Sequence, residues 1–385
     1  MALLFAAAVA AWNPRAGSES KTQAKGRTLG FILSRFSPAI YKGADDCPLG
    51  LEMTPMESFL AQQTPRERER LQRPENAAEF EWKYKWDFGT GPNGEEMCRE
   101  PRGFKNKYEH PIHRMVQGKV AYGFDLDGDD GSGDPPPGIC KHENFTSPEG
   151  ESGIDNQLYR ANGCLGYYRG SATDPNVEGA IIAYYNRMLN EGLHGIVIEI
   201  TGVDDLRNDD EVEVGFYSTL DKPLLVGKEL MPHSTFTTHE NPRWRHVTKG
   251  KIVDGVITTE PFDLVLNMEW AVGGERGAKE EYDMRRARFR LELQPDGKLV
   301  GLMGAYQPID NVYSLFRTVG AGVSAVAGVD CAAEYKTLEA MADAYPDETG
   351  QCRAISIAYE VVGVPAFVVH PKNVQTRDAA VAARR

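Results

Sequence analysis

No Cys-x-x-Cys pair, and hence no Cys-x-x-Cys-His, occurs among the six cysteines of this 385-residue chain. That excludes a zinc ribbon, a thioredoxin-type redox site and covalently attached haem. A Gly-x-Ser-x-Gly nucleophile turn is missing too. Gly320 and Gly322 begin like a dinucleotide fingerprint, but the third glycine is absent and no clear strand precedes them. His239 and Glu240 open like the His-Glu-x-x-His motif of zinc proteases, yet position 243 is Arg. Nor is there a basic excess: 43 Lys and Arg face 56 Asp and Glu, a formal net charge of −13, which sets aside nucleic acid and anionic membrane surfaces as partners. Apolar runs are short. Ala2–Trp12 is one of them, and no stretch approaches the roughly 20 residues that a membrane-spanning helix requires.

What is present starts with an acidic run. Five of the ten residues from Asp125 to Asp134 are aspartates, interleaved with glycine and followed by Pro135, Pro136 and Pro137. So many carboxylates repel one another unless a cation stands among them. Asp125, Asp127 and Asp129 are spaced one, three, five, so that a turning backbone aims alternate carboxylates at a hard ion such as calcium. An EF-hand is ruled out, because Asp130 stands where its glycine belongs and Pro136 where its bidentate Glu belongs. The run is more similar to the Asp-rich calcium loops of secreted modules such as thrombospondin type 3 repeats. Asp130 and Asp134 complete the acidic set, and Asp155 and Asn156 are expected to join it once the chain returns. The expected cofactor is Ca2+, in a stabilising role.

The cysteines and the N-terminus both point to export. Short loops favour Cys47 with Cys98, Cys140 with Cys164, and Cys331 with Cys352, and such bonds persist in an oxidising compartment. Ala2–Trp12 suits the core of a signal peptide, although no Lys or Arg precedes it. Residues 1–26 therefore read as a signal-like segment with a flexible lead-in, and 27–117 as an irregular region containing a dockable stretch, Leu29–Tyr41, and a charged helix within Pro65–Glu79.

Residues 118–310 read as a β-rich body. Lys119–Phe124 alternates as a strand leading into the acidic run. Asp174 and Pro175 open a helix closed by Gly192, with Val177, Ile181, Tyr184, Tyr185 and Met188 on its core face. Strand patterns follow at 194–201, 211–218, 223–226 and 262–270. Asp254-Gly255 between two apolar triplets is a hairpin signal, and the alternation of Arg286–Leu293 turns back at Gln294–Lys298 into Leu299–Met303. Short strands at this spacing predict a mainly β fold, an antiparallel β-sandwich or jelly-roll-like body with a few added helices. Residues 311–372 read as a helical extension, with a helix from Cys331 and a final strand within Ile355–Val369, and 373–385 as a tail.

Other polar groups have plainer explanations. His110 and His113 are separated by Pro111, and His233, His239 and His246 lack metal-ligand spacing. The cluster Asp204, Asp205, Asp209, Asp210 and Glu211 suits a solvated turn. Arg285, Arg286, Arg288 and Arg290 alternate with apolar residues and largely form a solvent face, while Asn144 heads a glycosylation sequon that matters only in a eukaryotic secretory pathway.

The segments GIDNQLYRANGC (153–164), TGVDDLRNDDEVEVGFYS (201–218) and GKIVDGVITTEPFDL (250–264) resemble uncharacterised exported proteins of Gram-negative bacteria. The resemblance implies a periplasmic or outer-surface protein and carries no activity with it. The expected role is a non-catalytic binding or accessory subunit with a protein or glycan partner. The alternative is a secreted hydrolase whose carboxylates converge in a pocket.

Overall fold

A computed structural model of the chain describes residues 26–371 apart from 132, 172, 173, 175, 273 and 274; the signal-like run and the 373–385 tail lie outside the described residues. Its strands are β1 (Arg27–Pro38), β2 (Gly195–Val203), β3 (Asp209–Thr219), β4 (Leu225–Val226), β5 (Glu229–Leu230), β6 (Ser234–Thr237), β7 (Arg245–Val253), β8 (Val256–Thr259), β9 (Phe262–Val272), β10 (Glu275–Leu293), β11 (Leu299–Pro308), β12 (Ala344–Pro346) and β13 (Cys352–Val369). Its α-helices are α1 (Pro55–Ala61), α2 (Pro65–Leu71), α3 (Ala77–Trp82), α4 (Gln157–Asn162), α5 (Gly166–Arg169), α6 (Ala180–Glu191), α7 (Ile309–Val312), α8 (Ser314–Val319), α9 (Ala321–Ala327) and α10 (Cys331–Met341). Among the described residues no helix is long and apolar enough to cross a membrane.

The body is mainly β, but it is a barrel and not the expected sandwich or jelly roll. Eight strands run β1-β2-β3-β7-β8-β10-β11-β13, every neighbouring pair is antiparallel, and β1 pairs with β13 to close the ring. The closing seam joins Phe31 to Pro365 and Pro38 to Tyr359. Alternation along a strand is the same in a sandwich and in a barrel, so only this pairing of remote segments separates them. Leu29–Tyr41 thus does more than dock, since most of it is a barrel strand.

Local chemistry sets the turns. At the β7–β8 hairpin Asp254 (φ 51°) and Gly255 (φ 87°) both occupy the left-handed region, the backbone a two-residue turn between twisted strands requires. In β10 the register shifts between Met284 and Ala287, beside Arg286 at φ 52°. That irregularity moves the inward set from Tyr282 and Met284 to Ala287, Phe289 and Leu291, all buried in the main core. A shift in β1 between Leu33 and Arg35 likewise carries the core face from Phe31 and Leu33 to Phe36. The core is filled by such residues together with Ile196, Ile198, Ile200, Val214, Phe216, Ile355, Ile357 and Val361.

The expected helix opening at Asp174 begins later, at Ala180 with Gly179 as cap, while Gly192 (φ 69°) ends it in the left-handed conformation. Val177 is exposed. The small-residue stretch after Gly320 is α9, and Lys119–Phe124 makes isolated bridges, Val120 with Thr146 and Phe124 with Asp155, in place of a strand. Three disulfides form, and none is the local pair expected: Cys47–Cys164, Cys98–Cys331 and Cys140–Cys352, with separations of 117, 233 and 212 residues. The short-loop preference fails because each cysteine packs on a segment remote in sequence: Cys47 beside the end of α4, Cys98 at the start of α10 and Cys140 at the start of β13. Each bond therefore ties remote segments.

Candidate metal centre

The acidic run lies on the outer wall of the barrel and is held there mostly by backbone groups. Arg288, outward-facing on β10, donates from Nη1 to the Asp125 carbonyl (2.8 Å) and from Nη2 to the Leu126 carbonyl (3.1 Å). Leu126 itself is buried, against Tyr306, Ala344 and Ala354. The aspartates mostly close their own turns: Asp125 Oδ1 accepts from the Gly128 N–H, Asp127 Oδ1 from that of Asp129, and Asp129 Oδ1 from that of Gly131. The segment carrying Asp155 packs on the run through Gly153 (φ 75°), where an added Cβ would lie 3.2 Å from the Asp129 carbonyl oxygen. The Asn144 side chain donates to that same carbonyl.

Of the seven residues expected to hold an ion, two come together at one point. Asp127 and Asp155 meet His142, each offering a ligand atom within 4.8 Å of the others. Asp155 is wholly buried; its Oδ2 accepts from the Leu126 N–H (2.7 Å), and its Oδ1 lies 2.8 Å from His142 Nε2. Asn156 is committed elsewhere, capping α4 through the Tyr159 N–H and donating to the Tyr122 carbonyl. Asp125, Asp130 and Asp134 are exposed, Asp129 is half-buried, and none of these four belongs to the group that meets His142.

Two further residues complete the arrangement, and neither is marked in the sequence. His142 follows Cys140 by two residues, and its Nδ1 lies 2.8 Å from the Cys140 carbonyl oxygen. Asp343 is wholly buried just before β12; its Oδ1 accepts from the Ser356 N–H (2.8 Å) and its Oδ2 stands 3.9 Å from His142 Nε2. The Asp343 carbonyl in turn accepts from the Cys140 N–H (2.7 Å), so the Cys140–Cys352 bond clamps the crossing of these segments. The histidine after Cys140 was the only available signal, and a lone histidine is a weak one.

The electrostatics follow from three buried or half-buried acids around one imidazole. Burial works to lower the His142 pKa, but the Asp155 hydrogen bond and the Asp343 charge outweigh it and raise it to about 9. Asp343 is pushed up to about 7, chiefly by burial, against the pull of His142. Burial also raises Asp127 and Asp125, with Asp155 adding to both. The Tyr306 hydroxyl, buried among Asp155, Asp343 and Asp127, is driven well above the usual tyrosine range, first by burial and then by these charges. Three buried oxygens here make no hydrogen bond: Asp127 Oδ2, Asp343 Oδ2 and the Tyr306 hydroxyl. A cluster of this kind can hold a divalent cation or an imidazolium.

The other sites read from sequence are structural. His110 Nδ1 lies 2.6 Å from Asp330 Oδ2 and His113 Nε2 lies 3.4 Å from Glu334 Oε2, both in the interior. Asp209 accepts from the backbone of Asp204, Asp205 and Glu211, closing an exposed turn. A cleft of about 740 Å³ is lined by Glu52, Glu57, Tyr84 and Tyr167 among others. Both its glutamates already accept backbone N–H groups, Glu52 from Met53 and Arg114, and Glu57 from Thr54. Comparison with protein families, with curated proteins and with solved structures finds no match for this chain.

Proposed function

We propose that this is an exported, non-catalytic binding or accessory protein whose acidic loop is fastened to the neighbouring segments at His142 and Asp155 by a divalent cation. The observation that carries this is the convergence of Asp127, His142 and Asp155, from separate segments, within 4.8 Å. Three disulfides fit an oxidising compartment, and the periplasm or outer surface of a Gram-negative bacterium is the proposed location. An ion here bridges two loops to each other and so fixes the surface that the loops present to a protein or glycan. Calcium is the ion expected from the aspartate spacing, although of the one-three-five set only Asp127 joins the cluster. The hydrolase alternative has less support, because the carboxylates lining the cleft are engaged by backbone donors.

The test is metal analysis of oxidised protein purified without chelator, with thermal unfolding in EDTA and in added cation. A bound ion near one per chain, and a midpoint that falls on chelation, support the proposal. Folded protein with no ion and no response to any divalent cation overturns it.

A further inference from the structure

Building on the cation reading above, we infer that the site is a mixed nitrogen and oxygen centre for a first-row ion such as Mn2+ or Zn2+, with His142, Asp127 and Asp155 as its ligands and the buried Asp343 carboxylate facing it from just beyond that group. The imidazole is the first reason. Its Nδ1 faces the Cys140 carbonyl, which can only accept, so Nδ1 bears the hydrogen. In a neutral ring Nε2 then presents a lone pair, and it points at Asp155 Oδ1 (2.8 Å) and Asp343 Oδ2 (3.9 Å), which are lone pairs as well. A cation at Nε2 removes that conflict. A ring nitrogen held by a backbone carbonyl while the other faces carboxylates is the arrangement by which proteins orient a histidine ligand.

The second reason is the count of unmet acceptors. An imidazolium has two N–H groups, and both are taken, by Cys140 and by Asp155. It leaves Asp127 Oδ2 and Asp343 Oδ2 without a hydrogen bond, the latter on a side chain that is wholly buried. A single ion takes the donors of Asp127, His142 and Asp155, which lie within 4.8 Å of one another, and its charge compensates Asp343 Oδ2, 3.9 Å from Nε2. Donor type then selects the metal. Calcium seeks six to eight oxygens, whereas an imidazole nitrogen among carboxylates favours borderline first-row ions. Ligands of such an ion at about 2.1 Å stand roughly 3.0 Å apart in an octahedral and roughly 3.4 Å apart in a tetrahedral shell, so the 2.8 Å between His142 Nε2 and Asp155 Oδ1 needs only a small opening to admit it.

The experiment uses the oxidised full chain, stripped with chelator and equilibrated with Mn2+, Zn2+ and Ca2+ in competition, followed by metal analysis. Co2+ loading adds an absorption spectrum whose intensity reports the coordination number, and its change in His142→Gln reports the imidazole. The inference expects one Mn2+ or Zn2+ per chain retained against a large calcium excess. It also expects affinity to fall by about tenfold or more in His142→Gln and in Asp343→Asn, with circular dichroism showing that each variant folds. Calcium held in preference, and equally by wild type and His142→Gln, overturns this inference and leaves the loop-fastening proposal standing. No ion held by folded wild-type protein overturns both. Because the wild-type competition decides the metal class by itself, a variant that fails to fold leaves the outcome readable.

Discussion

Arg288 Nη1 donates to the Asp125 carbonyl at 2.8 Å, so a guanidinium on the barrel wall holds the acidic run by its backbone. Arg288→Met therefore removes the clamp without touching an acid. Hydrogen bonds from a charged donor are worth about 1.5–3 kcal/mol, and partial exposure of Arg288 places its loss at the lower end. Urea unfolding is expected to show a fall of about 1–2 kcal/mol. An unchanged midpoint would mean that the run docks without this contact.

Disulfide connectivity is a sharp test of the tertiary arrangement. Non-reducing peptide mapping is expected to recover Cys47–Cys164, Cys98–Cys331 and Cys140–Cys352. Replacing Cys98 and Cys331 together with Ala is expected to cost about 3–5 kcal/mol, since the bond closes a long loop. Recovery of the local pair Cys47–Cys98 would contradict the fold.

Closure of the barrel predicts slow exchange at its seam. Backbone amides of Phe31 and Ile32, which lie between β2 and β13 and are in register with both, are expected to exchange only through global unfolding. Rapid exchange there in the native protein would show an open sheet edge at β1.

Acid should destabilise the protein through His194, which packs beside Tyr282 and is 1% exposed. Burial drives its pKa down to about 4, against a weaker upward pull from the Glu269 backbone. The unfolded ring titrates near 6.5. Between these values the unfolded chain binds a proton that the native ring refuses, so the stabilising contribution is present above about 6.5 and lost as pH falls towards 4. The loss is on the order of 3 kcal/mol. Denaturant titrations of wild type and His194→Gln at pH 7 and pH 4.5 measure it; the gap between the two proteins should change with pH, and a constant gap would refute the assignment.

Legibility divides along sequence distance. The Asp254-Gly255 turn, the return of β10 into β11 and the helix from Cys331 were all readable, because each depends on a few consecutive residues and their backbone preferences. Asp127 and Asp155 were both legible as candidates, Asp127 from its spacing and Asp155 from the return of the chain, although the local pair Cys140–Cys164 that would close that excursion does not form. Asp155 arrives instead through the Phe124 bridge and the close approach at Gly153. His142 and Asp343 were not readable as ligands. Their neighbours in the chain are ordinary, and what makes them a pair is the crossing of residues 140–142 with residue 343.

The amino-acid order by itself determined a β-rich, acidic, disulfide-bearing chain with a carboxylate-dense loop, because composition, alternation and turn chemistry are local properties. Only the tertiary structure decided that the sheet closes, which cysteines meet and which carboxylates face an imidazole. Closure depends on β1 meeting β13, a contact between segments about 330 residues apart whose alternation also fits an open sandwich. The candidate centre depends likewise on chain crossings that burial and backbone pairing select over the whole molecule.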